Sequence, residues 1–120
     1  MTDLAFGEAV VRVTEELKEE GFGVLTTIDV QETMKKKLNV DFPKYIILGA
    51  CNPPFAHKAL QAEKEIGLLL PCNVIVYEKE GKTNIAVFNP MVITKIVENA
   101  DILAVAEKMK IRLERVIAAV

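Results

Sequence analysis

Hydrophobic positions change their spacing several times along this chain, and each change predicts an element. Phe6, Val10, Val13 and Leu17 recur at intervals of four, three and four, which puts them on one face of a helix from about Asp3 to Glu20. Glu8, Arg12, Glu15, Glu16, Lys18 and Glu19 form its wet side. Gly21 follows as a natural stop, free to turn left-handed after the last turn. The pattern then reads as a strand over Phe22 to Ile28. Asp29 is placed to cap a short helix through Lys37, with Met34 and Leu38 expected to turn inward. The run Lys35-Lys36-Lys37 at its end is read as a solvated face that complements the helix dipole.

After Pro43, Tyr45 to Ala50 is a nearly continuous apolar run of the length of a buried strand. Asn52-Pro53 is a helix start: Asn caps, and proline takes the first helical position, where its missing N–H costs nothing. That helix is expected to carry Phe55 to about Glu65. Gly67 to Leu70 is an apolar link closed by Pro71. Cys72 to Lys79 is a second buried strand, with Val74 and Val76 on one face and Ile75 and Tyr77 on the other. Glu80-Gly81-Lys82 turns the chain into a strand over Thr83 to Phe88. Asn89-Pro90 breaks that strand, and Met91 to Glu98 is a short helical or irregular connection. A long helix is expected from Ala100 to Ala119. Ile102, Ala106, Met109, Leu113, Val116 or Ile117, and Val120 make one stripe, while Val105 and Ile111 lie off it. A helix apolar on more than one face is deeply buried or meets a partner.

These elements predict an α+β fold. A mostly antiparallel four-stranded sheet, with strands near 22–28, 45–51, 72–79 and 83–88, packs against the N- and C-terminal helices. The 120 residues make a single domain, 1–120. With 51% hydrophobic and 27% charged residues, the chain can bury a core. Its net charge of -2 argues against a nucleic-acid groove or a polybasic membrane patch. No apolar run is long enough to span a membrane, and Met1 to Val10 has no signal-peptide pattern. The expectation is a cytoplasmic protein with neither nucleic acid nor membrane as partner.

Cys51 and Cys72 are the only cysteines and His57 the only histidine. Without an export signal a structural disulfide is the weaker reading. Cys51 lies just before a helix start, where free N–H groups and the positive end of the helix dipole lower a thiol pKa. Side chains lean toward the helix N-terminus, which would bring His57 toward Cys51. Cys72-Asn73 opens the next strand and echoes Cys51-Asn52. A small ligand is therefore expected near Cys51, Asn52, His57, Cys72 and Asn73, with Cys51, His57 and Cys72 as donors to a soft metal ion. Such a set is one short of a closed four-ligand zinc site. Against this stands the plain reading: cysteine is among the most buried residue types and often only fills a small apolar site. No serine occurs in the chain, so a serine nucleophile is excluded, and there is no Gly-rich phosphate loop.

Four motifs carry a resemblance over nearly the whole chain. They are Gly21-Phe22-Gly23-Val24-Leu25 followed by Ile28-Asp29-Val30; Ile47-Leu48-Gly49-Ala50-Cys51-Asn52-Pro53-Pro54 with Ala56-His57; Gly67-Leu68-Leu69-Leu70-Pro71-Cys72-Asn73-Val74; and Asn89-Pro90. Together the chain resembles the bacterial and archaeal family called domain of unknown function 302. The resemblance implies a small α+β domain, often a dimer, with no assigned activity, in which Cys-Asn-Pro is paired with Leu-Pro-Cys. Many relatives have a full strand before the first helix. Here that strand is very short or a sheet edge is left open, and an open edge favours pairing with another subunit.

Three functions stay open on the sequence. The first is a binding module for a soft metal or small ligand. The second is a thiol enzyme in which Cys51 attacks and Cys72 resolves. The third is a structural or regulatory homodimer with inert cysteines. The binding module is preferred, because an enzyme would show more convergent polar groups than Asn52, Asn73 and one histidine. A homodimer is expected from the apolar surface of the last helix and the short N-terminus. Both cysteines are expected at the same end of the sheet, bordering one pocket.

Overall fold

In the computed structural model, which describes residues 1–120, the chain runs α1 (Phe6–Glu19), β1 (Gly23–Asp29), α2 (Val30–Leu38), β2 (Tyr45–Cys51), α3 (Pro53–Ala62), β3 (Cys72–Lys79), β4 (Lys82–Val87) and α4 (Ala100–Ala119). Short 3₁₀ turns at Lys64–Leu69 and Pro90–Lys95 join α3 to β3 and β4 to α4. The strands form one sheet in the order β1-β2-β3-β4. Every neighbouring pair is antiparallel, as the sequence predicts.

Local signals set most boundaries. The α1 terminus carries two bonds, Phe22 N to Leu17 O at 2.8 Å and Gly21 N to Lys18 O at 3.0 Å. This pairing needs a left-handed residue, and Gly21 sits at φ 84°. Asp29 caps α2 by accepting from the Glu32 N–H. Glu80 and Gly81 both have positive φ, as the tight turn of a two-residue hairpin requires. The α3 helix ends at Ala62, three residues early. Glu63 is extended and its side chain caps the following 3₁₀ turn instead.

Strand alternation sorts the side chains. Leu48, Ala50, Cys72, Val74 and Val76 face a helical layer in which α1 contributes Ala9, Val13 and Leu17. From α4 come Ile102, Val105, Met109, Leu113 and Val116. Val105 is thus a core residue, whereas Ile111 is about half exposed. The expectation for α2 holds only in part: Met34 is half-buried, but Leu38 is 65% exposed and no residue of the helix is fully buried. Its lysines are solvated, with Lys35 paired to Asp41 and Lys36 to Glu32.

The N-terminal strand is reduced to one bridge. Thr2 pairs with Thr83 on the outer edge of β4. The outer edge of β1 has no strand beside it, and a register shift between Val24 and Thr26 bulges it at Leu25. Such a bulge hinders edge-to-edge growth of the sheet. No helix is long and apolar enough to cross a membrane.

Candidate functional site

The β2–β3 ladder decides how the two cysteines relate. Ala50 stands opposite Cys72, so Cys51 and Cys72 do lie at the same end of the sheet. Their Cα atoms are about 6 Å apart by ladder geometry, a spacing that would admit a disulfide. Their side chains point apart. Cys72 shares the helix-facing side with Ala50 and Val74 and is buried. Cys51, one residue beyond Ala50, alternates to the opposite face and is half-buried. Two cysteines whose Cβ vectors diverge are not bridged without backbone movement. The expected joint thiol pocket is therefore not formed within one chain.

Electrostatics reinforces the division. Burial pushes the Cys72 thiol from 9.0 up to about 11, and the neighbouring Cys51 adds to the shift. At neutral pH Cys72 is a protonated, buried group, which disfavours it as nucleophile or ligand.

Asn52 is buried for structural reasons. Its Oδ1 accepts from the Phe55 N–H at 3.4 Å, which caps α3 as the Asn-Pro motif predicts. Its Nδ2 donates to the Glu20 carbonyl at 3.4 Å. Asn52 thereby ties the end of α1 to the start of α3. Arg112 joins the same point from α4, donating to the Glu20 carbonyl at 3.0 Å. Its guanidinium lies 5.2 Å from the centre of the Phe55 ring. Arg115 completes the joint with an ion pair to Glu20 at 3.3 Å. Arg112 was not visible as a partner in the sequence, because it lies 92 residues from Glu20 and no local motif links them.

His57 does not join the cysteines. Phe55 and Ala59 are the inward positions of α3, and His57 falls on the exposed side between them. No three or more His, Cys, Asp or Glu side chains come together in an arrangement that could hold a metal ion. The proposed donor set of Cys51, His57 and Cys72 is thus not assembled, and the residues present do not fit a soft-metal centre.

Cys51 keeps different company. On its face of the sheet lie Asn73, exposed, and Gly49 opposite it. A Cβ at Gly49 would stand 2.1 Å from Thr26 Oγ1 and 2.9 Å from Pro71 Cγ. Thr26 and Pro71 therefore close over the Gly49 backbone beside Cys51. Farther along this face are Ile47 and Ile75, paired across β2–β3, and then Tyr45 and Tyr77. The two tyrosine rings stack at 5.6 Å, and Phe42 meets Tyr45 edge-on at 6.2 Å. Of the five ligand candidates, Cys51 and Asn73 share this face, Asn52 and Cys72 share the helical side, and His57 stands apart.

The profile of the family described as Domain of unknown function DUF302 matches residues 1–120. The chain belongs to this family. A similar solved structure is the crystal structure of the uncharacterized conserved protein DUF302 from Bacillus stearothermophilus. It is 31% identical, superposes with a TM-score of 0.89, and the match covers 97% of this chain and 91% of that one. No curated protein matches the sequence. The Cys-Asn-Pro and Leu-Pro-Cys motifs both lie within the matched residues. In this DUF302 chain those motifs build the joint of α1, β2 and α3 and the start of β3.

Proposed function

We propose that this protein is a non-catalytic binding module that works as a homodimer, its subunits meeting through the sheet face that carries Cys51. The observation that carries the reading is the sheet's asymmetry. The core helices α1 and α4 pack on one side, while Ile47, Ile75, Tyr45 and Tyr77 stay half exposed on the other. Those four side chains and their neighbours Thr26, Asn73, Asn84 and Ala86 carry no charge, and the lysine pair Lys79 and Lys82 lies at one end of the same face. Two copies can meet through the uncharged centre of this face without like-charge repulsion there, provided the lysine ends are offset.

The size of the face sets the strength. Four strands about 4.8 Å apart and about 24 Å long project roughly 450 Å². A standard interface buries about 800 Å² on each partner. Side-chain relief and the aromatic row reaching to Phe42 narrow that gap, and the expected dimer is of micromolar affinity. A thiol-enzyme role draws less support, since the resolving thiol it needs is buried on the far side of the sheet from Cys51. Two free thiols suit a reducing compartment such as the cytoplasm.

Sedimentation equilibrium tests the proposal. The wild-type chain should be dimeric at roughly 50 µM, a concentration well above a micromolar Kd. Ile47→Lys and Ile75→Lys should each be monomeric with an unchanged far-UV circular dichroism spectrum. A wild-type monomer at that concentration, or folded lysine variants that remain dimeric, would overturn it.

A further inference from the structure

On the other side of the molecule α3 and α4 leave an unfilled groove. The two helices run antiparallel: Asn99, before α4, donates to the Ala62 carbonyl at the end of α3, while Arg112 stacks near Phe55 at its start. Phe55 and Ala62 from α3 and Ala104 and Val105 from α4 line a trough of about 390 Å³. Phe55 and Val105 are each only 8% exposed and form part of the core, so the floor is apolar and rigid. The alanines are too small to close the gap between the helix axes. None of the cysteine-site residues reaches it.

Charge is unevenly arranged along this trough. Lys58 on α3 and Lys108 on α4 flank it. The antiparallel pairing puts both toward the Phe55 end, because Ala62 already lies level with the start of α4. Neither lysine is held in an ion pair, so both ammonium groups are free to meet an anion. Gln61 and Asp101 line the other end. Along α4, seven residues separate Asp101 from Lys108, a rise of about 10 Å. A groove of this volume lies in the usual range for small-molecule sites. We infer that the α3–α4 groove binds a small amphipathic organic anion, with its apolar body on Phe55, Ala104 and Val105 and its anionic group between Lys58 and Lys108.

The inference is independent of self-association, because the groove lies on the helical side and the proposed dimer face on the other. Fluorescence titration with 8-anilinonaphthalene-1-sulfonate tests it, using uncharged N-phenyl-1-naphthylamine as the matched apolar body. The wild-type protein should bind the sulfonate about tenfold more tightly than the neutral compound, the scale expected from two solvent-exposed charge contacts. Lys58→Gln/Lys108→Gln should lose that preference while still binding the neutral compound. Ala104→Leu, which fills the trough at the rim of α4, should weaken both. Equal affinity for the two probes in the wild type overturns the inference. So does a preference that survives in the double glutamine variant, since the anion would then be held elsewhere, on the sheet face for example. Sedimentation of the same variants should show the wild-type oligomeric state, so that a failure here is separable from a failure of the dimer proposal.

Discussion

Gly49→Ala should be among the most disruptive single-methyl additions to this chain. The new Cβ would lie 2.1 Å from Thr26 Oγ1, 2.9 Å from Pro71 Cγ and 3.5 Å from Thr26 Cβ. Rotating Thr26 gives costly relief at best, since one of its two other staggered rotamers puts the methyl where the hydroxyl was and a β-branched side chain is stiff at χ1. The Pro71 ring has no rotamer to change, and the strand is held on both sides by β1 and β3. The backbone must shift or Thr26 must take a forced rotamer, and overpacking of this kind costs about 1–3 kcal/mol. Alanine recovers up to about 1 kcal/mol through lower entropy of the unfolded chain. The expected net loss is about 1–2 kcal/mol. In urea, with m near 1–2 kcal/mol/M, that moves the midpoint down by roughly 1 M. Thr26→Ala should restore more than half of the loss in the double variant, because only the 2.9 Å approach to Pro71 then remains. Additive losses from the two substitutions, or a Gly49→Ala midpoint equal to wild type, would refute the packing argument.

Three further outcomes follow from the geometry of the cysteines and Asn52. Cys51 should react with Ellman's reagent in the native protein, and Cys72 only on unfolding. The folded pKa of Cys72 is raised above its unfolded value, so its contribution is fully present below about pH 9 and is lost as pH rises toward 11. Over that window the wild type should lose roughly 2–3 kcal/mol more than Cys72→Ala does, by urea unfolding at each pH; parallel curves would show that the thiol is not the group titrating. Asn52→Ala should cost about 1–2 kcal/mol in thermal unfolding, through the lost cap and the lost tie to Glu20. Asn52→Asp should recover the cap but not the tie, because a carboxylate accepts from the Phe55 N–H and has no hydrogen to give the Glu20 carbonyl.

What could be read from the chain without its fold was whatever depends on neighbours in sequence. The Gly21 stop, the Asp29 and Asn52 caps, the Glu80-Gly81 turn and the period of α4 each rest on contacts within a few residues. The antiparallel sheet and the arrival of both cysteines at one end of it were also expected from the sequence, although the β2–β3 pairing joins segments separated by α3. Tertiary structure decided the rest. Cys51 and Cys72 look like a pair because Asn follows each, but the register that sets Cys72 opposite Ala50 sends the two thiols to different faces. A one-residue slip would have reversed that, and no local signal in either strand specifies the register. The inward turn expected of Leu38 failed because no core surface reaches α2. Arg112 at the Glu20 carbonyl and the lysines flanking the α3–α4 groove depend on packing between segments far apart in the chain. Helical periodicity states which side of each helix is apolar; only the packed fold determines which side chains that face will meet.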